Sequence, residues 1–314
     1  MQHHLRTVTG PLSVSEVRGP VLAHEHLVLD LDRAGDGAAV LDPEAHAPAV
    51  AGELSALRDE FGLSAVVELT CRGMGRDARA LARLSAGTDV AVVAATGWYY
   101  EPFHPAEVGD SDTGRLTETL LEEIEAGIGT TGVRPGVIGE IGSHGDLPSP
   151  AETRVLIASA RAACAGGLSL ATHAQLGRGG LAQLDILTGA GLAPHRISVG
   201  HQDLLDDPAV HRALAAEGAY VAFDTVGKAS YQSDGTRLRL LLDLLDAGHA
   251  DRALLSCDIS RHGYLAAEGG QGYGHLFRSF LPKARAAGVD DDLVDLITRR
   301  NPLRFLTGAD VEEI

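Results

Sequence analysis

Eight short runs rich in β-branched and small apolar residues alternate with stretches of helical periodicity, and this alternation does most to limit what the chain can fold into. The runs are "VLAHEHLVL" from Val21, "AVVELT" from Ala65, "VAVVAAT" from Val90, "GVIGEIG" from Gly136, "LSLATHA" from Leu168, "ISVGHQD" from Ile197, "AYVAFDT" from Ala219 and "ALLSCDI" from Ala253. Between them lie segments such as "AETRVLIASARAACAGG" and "TRLRLLLDLLDAGHA", in which apolar residues recur at helical spacing and a glycine closes most segments. Strand alternating with helix implies a parallel sheet, and eight such units in 314 residues imply a closed (β/α)8 TIM barrel. No G-x-G-x-x-G follows the first strand, so a dinucleotide-binding sheet is disfavoured. With no repeat, low-complexity tract or Pro/Ser-rich linker to mark a boundary, residues 1–314 are expected to form one domain.

Polar residues interrupt these apolar runs in a pattern. His24 and His26 stand two apart in the first run, so on a strand both imidazoles project to one face while Glu25 points away. With 14 histidines in the chain, one H-x-H carries little weight by itself. Glu140 in the fourth run, His173 in the fifth, His201 in the sixth and Asp258 in the eighth change that. Each sits toward the C-terminal end of its strand, where barrels carry their active sites. A single buried histidine or carboxylate is usually a satisfied core polar group. Six nitrogen and carboxylate donors converging on one mouth point instead to a binuclear metal centre, because they exceed what one tetrahedral ion takes. One metal would take His24, His26 and Asp258 and the other His173 and His201, with Glu140 and a bridging hydroxide between them. A mononuclear deaminase is disfavoured by the same surplus of donors.

These motifs, H-E-H on strand one, "THA" on five, "GHQD" on six, "SCD" on eight and the late "NPLRFL", resemble the phosphotriesterase family of the amidohydrolase superfamily over nearly the whole chain. "GEIG", "GAYVAFDTVGK" and "GGQGYG" are most similar to its phosphotriesterase homology protein subgroup. The resemblance implies the same ligand set, zinc as the usual metal with manganese or cobalt as alternatives, and a homodimer. Two positions depart from phosphotriesterases proper. Glu140 stands where they bridge the metals with a carboxylated lysine, and Thr225 stands where they carry a histidine after the strand-seven aspartate.

Two cations would bring a bridging water toward neutral acidity and polarise a C=O or P=O, and Asp258 is placed to take the proton and deliver it to the leaving group. Candidate substrate contacts are Tyr99, at a position where related lactonases carry a tyrosine, Trp98 as an apolar wall, and Lys228, Arg261 and His262 for an anionic group. The expected activity is hydrolysis of a small ester, above all a lactone. N-acyl amide hydrolysis or promiscuous phosphotriesterase activity is the alternative, and a non-catalytic metal-binding protein a more distant one. "RRNPLRFL" reads structurally, with Asn301 capping a helix and Pro302 in its first turn.

Charge and composition narrow the partners. A formal net charge of -17 lacks the basic footprint that nucleic acid or an anionic membrane requires, which leaves a small-molecule substrate. Cys71, Cys164 and Cys257 are odd in number and form no C-x-x-C, and "MQHHLRTVTGPLSVSE" has no signal-like apolar run, so a reducing cytoplasm is expected.

Overall fold

The computed structural model describes residues 3–309. Eight strands, β1 (Val21–Glu25), β2 (Ala65–Glu68), β3 (Ala91–Thr96), β4 (Val137–Ser143), β5 (Leu170–Ala174), β6 (Ile197–Val199), β7 (Tyr220–Phe223) and β8 (Ala253–Leu255), pair in parallel in chain order. Helices between them cover the outer face, giving the (β/α)8 barrel expected from the alternation. Backbone ladders join β1 through to β8, and among the described residues none joins β8 back to β1. There a side chain closes the sheet. The buried carboxylate of Glu25 accepts from the Cys257 N–H at 2.7 Å, the Ser256 hydroxyl at 2.7 Å and the Ile259 N–H at 2.8 Å.

Alternation along the strands divides the core in two. Val21, Ala65, Val67, Val93, Val137, Tyr220 and Leu254 fill the interior, whereas Leu22, Val66, Val92, Ile138, Leu170 and Val221 pack under the helices. The floor of the barrel is sealed from both chain ends. The hairpin of His4–Thr7 and Gly10–Ser13 is followed by Val14 and Val17, which enter the interior cluster with Leu5. From the C-terminal helix Asn301–Thr307, Leu303, Phe305 and Leu306 join the same cluster.

Local signals explain the outer helices. In Pro150–Gly166, the Ser149 hydroxyl accepts from the Glu152 N–H at 3.2 Å while the Glu152 carboxylate accepts from the Ser149 N–H at 2.8 Å. Pro150 occupies the first turn and Gly167 ends the helix at φ +66°. Asn301 differs from its expected capping role. It is the first residue of its helix, and its side-chain amide donates to the carbonyls of Ala250 at 2.8 Å and Ala253 at 2.9 Å, pinning the C-terminal helix to the start of β8. No helix is long and apolar enough to cross a membrane among the described residues.

Candidate metal centre

Two bulges aim the first candidate ligands. Between Leu22 and Glu25, β1 spends one more residue than its partner β2, so that Ala23 faces the interior and His24 does too. His26 follows one residue past the end of β1 on the same side. An identical step occurs in β4 between Ile138 and Ile141, where Gly139 lies against Ala171 so closely that a Cβ would stand 2.9 Å from its carbonyl oxygen, and Glu140 turns into the mouth. His201 and Asp258 reach the mouth another way, each in the left-handed region at φ 57° and 48°. Non-glycine residues adopt that conformation at a cost of about 1 kcal/mol or more, retained where the surroundings over-determine it. For His201 the constraint is its own N–H, which donates to Asp224 Oδ1 at 2.8 Å.

The six side chains expected from the sequence come together, all buried. His24 Nε2 lies 3.6 Å from Glu140 Oε1 and 4.0 Å from Asp258 Oδ1, and His26 Nε2 lies 3.6 Å from Glu140 Oε2 and 3.4 Å from Asp258 Oδ1. Most of these separations are too long for hydrogen bonds. Two donors each about 2.0–2.2 Å from one divalent ion in tetrahedral array stand about 3.3–3.6 Å apart, so the spacing suits ligation. His24 Nε2 is buried without a hydrogen-bond partner.

On the other side of Glu140, His201 Nε2 lies 2.7 Å from His173 Nδ1, and both approach Glu140 Oε1, at 3.0 and 2.8 Å. The opposite ring nitrogens are already engaged: His201 Nδ1 with Asp224 Oδ1 at 2.9 Å and His173 Nε2 with Gln175 Oε1 at 2.6 Å. With their other nitrogens so engaged, His201 Nε2 and His173 Nδ1 turn lone pairs toward one another and toward a carboxylate oxygen, an arrangement that suits a cation. The donor set fits a pair of divalent ions.

Supporting groups fix the rings. Asp224 accepts from His24 Nδ1 at 2.7 Å through its other oxygen, and His26 Nδ1 bonds Thr70 Oγ1 at 2.8 Å, which in turn donates to Glu68 Oε1 at 2.5 Å. Burial alone would raise the Glu140 carboxyl, but the imidazoles of His24 and His173 hold it well below the usual carboxylate range. Burial opposes ionisation of Asp258 as well, and the ammonium of Lys228, donating to Oδ2, keeps it low. Burial pushes the Tyr99 phenol well above its ordinary value.

A cavity of about 250 Å3 opens over the cluster, lined by Tyr99, Lys228 and Arg261 among the expected substrate contacts. The Tyr99 hydroxyl is 3.1 Å from His173 Nδ1. Trp98 and His262 depart from expectation. Trp98 is wholly buried behind the wall, where its indole N–H donates to Glu107 at 2.8 Å under the guanidinium of Arg72, so it forms no part of the lining. His262 stacks flat on His46, ring centroids 5.2 Å apart, outside the residues that line the cavity. Sequence reasoning also passed over Tyr100, Gln175, Tyr231 and Ser260 on the wall, and Asp224 beneath the histidines. Only Asp224 left a readable trace, as the carboxylate ending the strand-seven run "AFD".

The glycines of "GGQGYG" serve the loop after β8. A Cβ on Gly270 would fall 2.3 Å from the Tyr264 backbone, and one on Gly272 2.4 Å from a Glu53 carboxylate oxygen. That carboxylate accepts from the N–H groups of Ala266 at 2.7 Å and Tyr273 at 2.9 Å, while the Tyr273 hydroxyl donates to the His26 carbonyl at 2.6 Å. The loop is thereby tied to the end of β1 next to His26.

The sequence pattern of the phosphotriesterase family matches residues 3–306. The phosphotriesterase homology protein of Escherichia coli strain K12 is 38% identical over 288 residues, 91% of this chain and 97% of that protein. A crystal structure of the E. coli protein, complexed with phosphate in its active site, superposes with a TM-score of 0.89 at 36% identity, covering 92% of this chain and 99% of that one. The N-acetyltaurine hydrolase of Rattus norvegicus is 30% identical, over 96% of this chain and 97% of that protein. A mutant of the PTE-like lactonase of Deinococcus radiodurans superposes with a TM-score of 0.86 at 32% identity, over 96% of this chain and 99% of that one.

Proposed function

The chain belongs to the phosphotriesterase family of hydrolases, and from that premise we propose that it hydrolyses a small ester, a lactone, with two divalent ions, zinc being suited to this nitrogen and carboxylate donor set. His24, His26 and Asp258 would hold one ion, His173 and His201 the other, with Glu140 between them. When bound, the pair would acidify a water and polarise the substrate carbonyl.

The remaining work falls to side chains. Glu140 offsets the repulsion of the two charges. Asp258, with Oδ2 held by Lys228, keeps Oδ1 toward the centre, where it takes the proton of the attacking water and passes it to the leaving oxygen. The observation that carries the ester reading is the Tyr99 hydroxyl on the cavity wall, 3.1 Å from His173 Nδ1. A lactone's leaving alkoxide stays tethered to the acyl group, and the Tyr99 O–H, kept protonated by burial, is a suitable hydrogen-bond donor to it while Asp258 delivers the proton. Lys228 and Arg261 add positive charge to the wall in a strongly acidic chain, which suits an anionic substituent on the substrate.

An N-acyl amide is the second reading, favoured by the contact of Lys228 with Asp258. An amine must leave protonated, and an ammonium beside the proton-accepting carboxylate suits that demand. The N-acetyltaurine hydrolase relative is of this class. Phosphotriester cleavage would be a side activity of the same centre.

The test is a screen of zinc-loaded protein against γ-lactones, sugar-lactone phosphates, N-acyl amines and phosphotriesters. Lactone kcat/KM at least about tenfold above the other classes is the expected result. The reverse ranking for N-acyl amines would replace the ester reading with the amide one, and turnover of phosphotriesters alone would overturn both.

A further inference from the structure

The four imidazoles of the centre are not backed alike. His24 and His201 share the carboxylate of Asp224. His26 leans on Thr70, whose hydroxyl passes its hydrogen on to the carboxylate of Glu68. His173 has no carboxylate behind it: the neutral side-chain amide of Gln175 places Oε1 2.6 Å from Nε2, and the Tyr99 hydroxyl stands farther off, at 3.5 Å. An acceptor on the far nitrogen fixes which ring nitrogen is bare, and a charged acceptor in addition makes that nitrogen a stronger donor to a metal. An amide does the first and little of the second.

Gln175 is itself held in place. It opens the short turn Gln175–Gly177, in which Leu176 takes a left-handed conformation at φ 54°. Gly177 packs so tightly on the neighbouring strand's loop that a Cβ would stand 2.6 Å from Leu205 Cβ and 2.9 Å from the His201 carbonyl oxygen. Arg178 pairs through two nitrogens with Asp146, at 2.8 and 2.6 Å, and Gly179 lies against the Gly145 carbonyl. The turn is fastened to the loop after β4 on one side and to His201 on the other, so the Gln175 amide meets His173 in a defined geometry.

We propose that Gln175 is a positioning residue that sets the affinity of the metal position formed by His173 and His201, and that this position is the weaker of the two. The inference rests on the two-metal reading above. The position at His24, His26 and Asp258 has three donors of its own, with both imidazoles connected to carboxylates. The other has two, one of them backed by an amide. Gln175→Leu removes the acceptor at similar size and leaves His173 free to turn or to carry its proton on the wrong nitrogen. Gln175→Glu restores an acceptor and gives it a charge.

Zinc alone is the probe. Chelator-stripped protein is titrated with zinc against a chromophoric competitor, and the thermal midpoint of the zinc-free protein is recorded beside it. The wild type is expected to bind two ions with unequal Kd. In Gln175→Leu the weaker Kd should rise by about 10- to 100-fold with the tighter one and the zinc-free midpoint unchanged, and in Gln175→Glu the weaker Kd should fall below wild type. Two ions bound with wild-type affinities in Gln175→Leu would overturn the role of Gln175 alone. Weakening of both positions together with a lower zinc-free midpoint would overturn it too, by making the residue merely structural. A wild type that takes a single ion would overturn the two-metal reading itself.

Discussion

The imidazoles of His24 and His201 stack with centroids 5.3 Å apart, and the Nδ1 of each is bonded to a different oxygen of Asp224. One carboxylate would therefore orient a ligand for each of the two proposed metal positions. Asp224→Asn should weaken both positions together, because an amide offers one acceptor and turns its NH2 toward the second ring. A rise of about 10- to 100-fold in both zinc Kd values is expected, measured by competition titration. Loss confined to one position would show that the shared contact does not couple them.

Glu140→Gln should keep the fold and lose one ion, since a neutral amide of nearly the same size cannot offset two dications. Metal analysis and the thermal midpoint read this together. Glu140 also needs no carbon dioxide to become anionic, so metal uptake by stripped wild-type protein in degassed buffer should be indifferent to bicarbonate. A large bicarbonate-dependent acceleration would place the bridge on a carboxylated lysine instead.

At the edge of β1, Glu25→Ala would strand three donors at once, the Ser256 hydroxyl and the N–H groups of Cys257 and Ile259. A buried donor left unpaired costs about 1–3 kcal/mol. Denaturant unfolding should show a loss of several times that unit, or no soluble protein, with Glu25→Gln intermediate because one amide oxygen can still accept. Wild-type stability in Glu25→Ala would mean that the strand edges hold without the side chain.

Far from the centre, His211 is buried with its ring edge-on to Phe223, and burial pushes its imidazole below the ordinary value of 6.5. A depressed folded value means that the unfolded chain takes up this proton first. The neutral residue's contribution to stability is complete above about pH 6.5 and is lost as pH falls below it toward the folded value. His211→Phe should therefore lose less thermal stability than wild type between pH 7.5 and pH 5. Parallel curves for the two proteins would show that His211 does not titrate in that window.

Strand chemistry made the six candidate ligands legible, because a charged or imidazole side chain in an apolar barrel strand has few reasons to be there. The bulges that aim His24 and Glu140 were not legible, since an extra residue in a strand leaves the apolar pattern nearly intact. Asp224 could be read as an ordinary strand-end carboxylate, as its task depends on two rings far away in sequence. Trp98 lies off the wall where it was expected because consecutive residues leaving β3 diverge: Tyr99 enters the cavity while Trp98 turns back to Glu107. Loop residues such as His262 carry no periodicity that fixes their direction, and its partner His46 comes from another loop altogether.

Among the described residues, the one junction of the barrel without a backbone ladder lies between β8 and β1, and His24, His26 and Asp258 stand on its two sides. An ion held by these three would be a clasp across the line along which the cylinder can unroll without tearing main-chain pairing. In a metal-poor setting the seam would be left to Glu25, whose three hydrogen bonds to Ser256, Cys257 and Ile259 span the same two edges without an ion.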